Sequence, residues 1–327
     1  MTVLVTGGAG YIGTHTVRAL RAQGRSVVVV DSMEFGNQSA LLGAELVVGN
    51  IRDRALVTDV CRSHDVTQVV HFAAYKAVGE SMEQPGRYWL NNVAGSVDLV
   101  EAALAAGVTQ LVFSSSCSVH GTPATNPVAE DAPMHPESVY AETKAMVERI
   151  LGWYGTTHEL RAVSLRYFNA AGASTDGVIG EDWSRSQNLI PLVVKATLGK
   201  GPPVQVFGTD YPTADGTCIR DYIHIEDLAD AHVCALDYLG DGGATTALNV
   251  GTGIGSSVFD IIRATERISG QAVPYEVVGR RAGDPVETYA DATKVHATLA
   301  WAATRTLDDI LESAWQWHSS HPDGMPA

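Results

Sequence analysis

Tyr140-Ala-Glu-Thr-Lys144 sets a phenol and an ammonium four residues apart, so on a helix the two side chains lie one above the other. A phenol with an ordinary pKa near 10 is a poor base at neutral pH. A fixed positive charge close by stabilises the tyrosinate and brings it toward the working range. The pair is expected to open a helix that follows a strand ending in Ser114-Ser115-Ser116. Ser116, the last of the run, is best placed to share the proton of a substrate hydroxyl. These residue types suit removal of a proton and a hydride from an alcohol carbon, and hydride needs an acceptor.

The N-terminus offers a place for one. Val3-Leu4-Val5-Thr6 is a run of β-formers that passes into Gly7 and then Gly8-x-Gly10-x-x-Gly13. Val17, Ala19 and Leu20 follow at helical spacing, Gly24 breaks the helix, and a second β-branched run ends in Asp31. This strand–turn–helix–strand unit has the length of a dinucleotide-binding βαβ motif. One glycine permits the tight turn, one lets backbone N–H groups approach a pyrophosphate, and one lets the helix pack closely on the strand. The helix N-terminus adds partial positive charge for the phosphates. Asp31 can accept both ribose hydroxyls and would repel a 2′-phosphate, and no Arg or Lys directly follows it. NAD is therefore expected rather than NADP.

Those residues must be carried by regular elements, and the chain supplies them in alternation. Strands are expected at Glu45–Val48, Gln68–Phe72, Gln110–Phe113 and Arg161–Arg166, and helices at about 53–61, 84–106 and 138–154. Nearly continuous apolar strands between helices indicate a parallel sheet covered on both faces. Ligands in such sheets meet the carboxyl ends of the strands. Asn50-Ile51, Ala73-Ala74-Tyr75-Lys76, the three serines and Tyr167-Phe168-Asn169 all fall there. The expected fold is α/β, a Rossmann-type doubly wound parallel sheet with a smaller C-terminal substrate-binding lobe. Residues 1–169 would form the NAD-binding domain, with a returning segment near 221–250. Residues 170–220 and 251–327 would form the lobe, with a helix near 188–198 and a strand at Val204–Phe207. Gly251-Thr-Gly253 reads as a strand-to-helix turn, since no Lys follows it. His318-x-x-His321 reads as a solvated tail, and Leu307, Ile310, Leu311, Ala314 and Trp315 as a packed helix.

Composition narrows the function. Of 327 residues, 45% are hydrophobic and 18% charged, the balance of a globular protein with ample core. No apolar run approaches the roughly 18 residues needed to cross a bilayer. The chain enters its first strand at once, so no signal peptide is expected and the cytoplasm is the default location. A net charge of −15 argues against nucleic acid or an anionic membrane as partner. Any anionic substrate must then be met by local arginines. Cys61, Cys117, Cys218 and Cys234 fit neither a zinc site nor a disulfide scaffold, and no metal is expected.

Thr-Gly-Gly-Ala-Gly-Tyr-Ile-Gly, the serine run, Tyr-x-x-x-Lys and Arg166-Tyr-Phe-Asn169 resemble the extended short-chain dehydrogenase/reductase superfamily. More closely, the chain resembles the UDP-glucose/UDP-galactose 4-epimerase family. The narrower likeness rests on Lys76–Ser81, Asn91-Asn-Val93, the block Phe207–His224, Leu248–Gly253 and Arg280–Asp284. The resemblance implies a reversible C4 epimerisation of a UDP-hexose through a 4-keto sugar on retained NAD. Tyr140 would take the 4-hydroxyl proton, Ser116 would assist, and Lys144 would hold the nicotinamide ribose. It assigns the cofactor to Gly7, Gly10, Tyr11, Ile12, Gly13, Asp31, Asn50, Ile51, Phe72, Ala73, Ala74, Lys76, Asn91, Ser114, Tyr140, Lys144 and Tyr167. The UDP-sugar falls to Lys76, Ser116, Tyr140, Asn169, Asn188, Leu189, Gln205, Phe207, Arg220, Tyr222, Arg281, Asp284 and Thr288. Forked, permanently charged Arg220 and Arg281 suit a diphosphate in an acidic protein. Related enzymes pair as homodimers through two long helices, here about 84–106 and 138–154.

The sequence departs from the family at three points. The segment after Asp31 is shorter than usual. Asn50 stands where an Asp commonly meets the adenine amine. Thr288 stands where some members carry a bulky aromatic, and its small side chain would leave room for an N-acetyl group at sugar C2. A 4,6-dehydratase would need an acid/base pair after the catalytic Ser, where Cys117-Ser118 stand. A uronate epimerase would want a further cation near sugar C6. An intact Ser116, Tyr140 and Lys144 argue against a catalytically silent NAD-binding regulator, and a dehydrogenase releasing NADH would need NAD from outside.

Overall fold

Val3 and Val5 face one side of the first strand and Leu4 the other, and each side meets its own hydrophobic core. This period-two alternation between two buried faces is what a covered parallel sheet requires. The computed structural model describes residues 1–183, 186–281, 283–322 and 324–325. The first half runs β1 (Thr2–Thr6), α1 (Tyr11–Ala22), β2 (Ser26–Asp31), β3 (Glu45–Val48), α2 (Arg54–Ser63) and β4 (Val66–His71). Then come α3 (Val78–Glu83), α4 (Pro85–Tyr88), α5 (Gly95–Ala105), β5 (Gln110–Ser114), α6 (Val139–His158) and β6 (Arg161–Tyr167). The single helix expected over 84–106 is thus in pieces, with a π-helical turn, Trp89–Ala94, between α4 and α5. That wider turn carries Asn91 and Asn92.

The second half runs β7 (Asn169–Ala171), α7 (Leu189–Thr197), β8 (Val204–Phe207), β9 (Ile219–His224), α8 (Ile225–Gly240) and β10 (Thr246–Val250). It ends with β11 (Gly255–Ser257), α9 (Val258–Ser269), β12 (Tyr275–Val278), β13 (Glu287–Thr288), α10 (Thr293–Leu299) and α11 (Leu307–Ser320). Seven parallel strands lie in the order β10-β6-β5-β4-β1-β2-β3. The chain winds outward from β1 through β2 and β3, then restarts on its other side at β4. This reversal is the topological switch point, where open α/β sheets bind ligands.

A smaller sheet, β11-β9-β13 with β7 paired to β9, and a β8–β12 pair stand apart from the main sheet. They share a third core with Ile190 and Val194 of α7, Ile261 and Ile262 of α9, and Ile310, Leu311 and Ala314 of α11. Helices α9 and α11 each open on a capping box, Ser257 with Asp260 and Thr306 with Asp309. The end of α11 differs from the solvated tail expected there. His318 is buried and stacks on Trp183 with centroids 4.5 Å apart, and His321 stacks on Trp317 at 3.8 Å. Trp183 belongs to the third core, so the His318 ring packs against that core. Among the described residues no helix is long and apolar enough to cross a membrane.

Candidate active site

The glycine turn joins β1 to α1 at the switch point. Gly7 takes φ +70°, and a Cβ built on it would lie 2.5 Å from the Ala73 backbone nitrogen. It is therefore Gly7, and not Gly8, that makes the tight turn; Gly8 faces inward onto Val29 and Val5. A Cβ on Gly13 would sit 2.5 Å from the Gly7 carbonyl, so no larger residue fits where α1 crosses the turn. Over Gly10 the nearest atom to such a Cβ is that same carbonyl, at 3.4 Å, which leaves room for a ligand. Helix α1 has no side-chain cap at Gly10 and no acidic residue in its first turn, so its leading N–H groups suit an anion.

Asp31, at the end of β2, is buried and aimed by two bonds. Its Oδ2 accepts from Ala9 N at 3.0 Å and its Oδ1 from Met33 N at 2.9 Å. Each oxygen keeps a further acceptor site for a ribose hydroxyl. Asn50 is exposed, and its Oδ1 accepts from Arg52 N at 3.0 Å, which spends part of the capacity expected to meet an adenine amine. Ile51 is buried beside Gly95, and the Tyr11 hydroxyl donates to the Gly172 carbonyl at 2.6 Å while Ile12 packs on the core. Phe72 and Ala73 both donate to the Thr6 carbonyl (2.9 and 3.1 Å), which presses the end of β4, with Ala74 following, against the glycine turn. Lys76 is exposed beyond them. These features fit a dinucleotide laid across β2, β1 and β4.

The three serines divide their work. Ser114 Oγ and the Tyr167 hydroxyl are bonded at 2.8 Å, and Ser115 donates to Glu148 Oε1 at 2.5 Å. Ser116 Oγ accepts from both the amide and the hydroxyl of Ser118 (3.2 and 2.9 Å). With its acceptor sites so used, its own proton is left to donate elsewhere. Tyr140 and Lys144 lie on one face of α6, with the Lys144 ammonium 5.9 Å from the phenol ring's centroid. Lys144 Nζ donates to the Ser114 carbonyl at 2.6 Å and keeps two donors for a ligand.

Burial pushes the Tyr140 phenol well above 10, and Ser116 only partly opposes it. Burial lowers Lys144 to about 7, with Glu148 pulling the other way. Burial is the largest influence on both groups, so a further positive charge is needed beside the phenol to bring it toward the working range.

On the opposite wall, Arg220 of β9 donates through Nη1 to the Ile219 and Pro285 carbonyls (2.8 and 2.9 Å). Asp284 lies 3.8 Å from both Arg220 and Arg281, and the Arg281 guanidinium covers the Phe207 ring at 4.3 Å. Four predicted residues thus form one cluster. Tyr222 sits two positions along β9 from Arg220, in register with Asn169, whose amide donates to the Asp221 carbonyl at 3.0 Å. Thr288 is in register with Arg220, and its buried Oγ1 has no hydrogen-bond partner among the described residues. Asn188 and Leu189 open α7 and Gln205 is exposed on β8, with no bond to the arginine cluster among the described residues.

Residues 3–251 match the NAD dependent epimerase/dehydratase family. The chain belongs to this family. It is 42% identical over 325 residues to the UDP-glucose 4-epimerase of Halalkalibacterium halodurans, covering 99% of this chain and 97% of that one. It is also 42% identical to a UDP-glucose-4-epimerase from Stenotrophomonas maltophila, solved with bound NAD and formylated UDP-arabinopyranose (TM-score 0.96, 99% of both chains). A Bifidobacterium longum UDP-glucose 4-epimerase solved with NAD+ and UDP is 39% identical, with TM-score 0.94 over 99% of this chain and all of that one.

Several residues of this epimerase/dehydratase chain that shape the site escaped the sequence reading. Glu148, a further i+4 step beyond Lys144 on α6, forms a buried ion pair with Arg166 at 2.6 Å. The Arg166 guanidinium also donates to Glu130 O and to His120 Nε2. Asn92, not Asn91, is the structural asparagine: it bonds both backbone groups of Tyr75 and the Thr143 hydroxyl, and it accepts from Asn91 Nδ2. Asp221 is fully buried and accepts from Thr252 N, Gly253 N and Ala290 N. The Gly251–Gly253 turn therefore spends its N–H groups on a carboxylate, and it joins β10 to β11 rather than to a helix. Burial raises the Cys117 thiol to about 12, which unsuits it for the acid/base role a 4,6-dehydratase would need there.

Proposed function

We propose that the chain catalyses reversible C4 epimerisation of a UDP-hexose, interconverting UDP-glucose and UDP-galactose on tightly held NAD. The observation that carries this reading is the Tyr140–Lys144 pair on one face of α6, with Lys144 tied to the carbonyl of Ser114, set beside the glycine turn and Asp31. Asp31, the α1 N-terminus and Lys144 would hold the cofactor. When bound, the oxidised dinucleotide supplies a hydride acceptor and a fixed positive charge beside the phenol. Tyr140 then takes the proton of the sugar 4-hydroxyl, with Ser116 holding the oxygen between them. Arg220 and Arg281 grip the diphosphate, so the sugar alone is free to turn before Tyr140 returns the proton to the opposite epimer. The nucleotide-sugar would lie between the main sheet and the lobe formed by residues 170–220 and 251–327.

UDP-galactose carrying deuterium at C4 tests the scheme. Product UDP-glucose should keep the label at C4, because the same hydride is returned. Loss of label to solvent or to a second substrate would contradict it.

Thr288 supports a wider sugar range. A threonine in register with Arg220 fills less volume than an aromatic would there. UDP-N-acetylgalactosamine is expected to be turned over, and Thr288→Tyr to shift the kcat/KM ratio toward UDP-galactose by about tenfold or more. Turnover of UDP-galactose with none of the N-acetyl sugar would contradict this. The same proposal includes a homodimer. Exposed Leu90 on the π-helical turn and Met146 and Trp153 on α6 offer an apolar face for a second copy. It also includes a cytoplasmic location, which the four unpaired cysteines suit.

A further inference from the structure

The segment after Asp31 does not lie alone. Glu34 forms an ion pair with Arg87, and its other oxygen accepts from the Tyr75 hydroxyl at 2.7 Å. The Arg87 guanidinium lies over the Tyr75 ring at 4.0 Å and donates to Glu80 at 2.5 Å. Phe35 meets the Tyr75 ring edge-on, with centroids 6.0 Å apart. Asn37 N donates to Ala9 O in the glycine turn.

Topology gives this cluster its meaning. Glu34 follows β2 and Tyr75 follows β4, and these strands flank β1 on opposite sides. A side-chain bridge between the two loops must therefore cross the carboxyl end of β1, where the glycine turn and Asp31 line the dinucleotide cleft. We infer that Glu34, Tyr75 and Arg87 form a strap closed over the cofactor, which slows NAD release. This rests on the NAD-retaining reading above.

The two ends of the strap differ in how firmly they are anchored. Tyr75 is pinned by Asn92 through both backbone groups, and the Tyr88 hydroxyl donates to Ala77 O at 2.7 Å. Glu34 sits on a loop segment with its side chain 44% exposed. Opening is therefore expected at the Glu34 end, by loss of one charged contact and one charge-assisted hydrogen bond. Charges this exposed are screened, so release should quicken as salt rises.

The test is isotopic exchange. Wild-type protein, Glu34→Gln, Arg87→Met and the double variant are purified, their bound NAD is quantified, and each is mixed with excess labelled NAD. Glu34→Gln alters only a loop side chain, so its melting temperature should match wild type. Each single variant should exchange NAD about five- to tenfold faster. The double variant should exchange no faster than the faster single, because either change opens the same strap. Variants that exchange at the wild-type rate, or a double variant whose effect is the product of the singles, would overturn the strap while leaving the epimerase reading intact. Wild-type protein that carries no NAD would overturn the reading beneath it.

Discussion

Tyr140→Phe should leave a folded protein that still carries NAD and turns over UDP-galactose about a thousandfold more slowly, the scale of a lost general acid/base. Phenylalanine fills the same buried space, because only the hydroxyl is removed. Ser116 keeps its two bonds from Ser118, so the serine loop should hold its shape. Lys144 keeps its bond to the Ser114 carbonyl, which leaves its end of the cofactor site intact. Quantifying NAD in the denatured variant separates the two roles open to Tyr140. A variant that loses both activity and NAD would make Tyr140 structural.

The second large effect is on stability. Glu148→Ala should destabilise the protein by about 3–5 kcal/mol, the cost of leaving a buried charge unpaired. The Arg166 side chain is only 6% exposed, and the bonds to Glu130 O and His120 Nε2 that remain carry no full negative charge. Ser115 loses its acceptor as well. Replacing both members, as Glu148→Leu with Arg166→Met, should cost less than the single change, because no charge is left buried. Urea denaturation of the three proteins decides it, read as a shift in midpoint at constant slope. A single variant within about 1 kcal/mol of wild type would show that Arg166 finds other compensation.

The contrast between these residues shows what a sequence reveals. The glycine turn, Asp31 and the Tyr140–Lys144 pair are local: each is carried by one element and its immediate neighbour, so spacing alone declares them. The parallel sheet was legible for the same reason, from apolar runs between helices. Glu148 stands at helical spacing from Lys144, yet nothing local says that Arg166, on a strand eighteen positions later, closes on it. The strap pairs residues forty-one and fifty-three positions apart, and Asp221 meets its turn across thirty-one. Such contacts exist only once the sheet order is set. His318 misled for a related reason: a polar ring near a chain end reads as solvated until Trp183 is known to lie beneath it. For Tyr140, charge proximity was legible from the i, i+4 step, but the depth of burial around both groups was not.

The most direct measurement combines cofactor content with unaided turnover. Purified protein is denatured, NAD is assayed in the supernatant, and the native sample is given UDP-galactose with no cofactor added. Near-stoichiometric NAD and steady formation of UDP-glucose, without net accumulation of NADH, are the predicted result. Protein that holds no NAD and gains no epimerase activity when NAD is supplied would contradict the account.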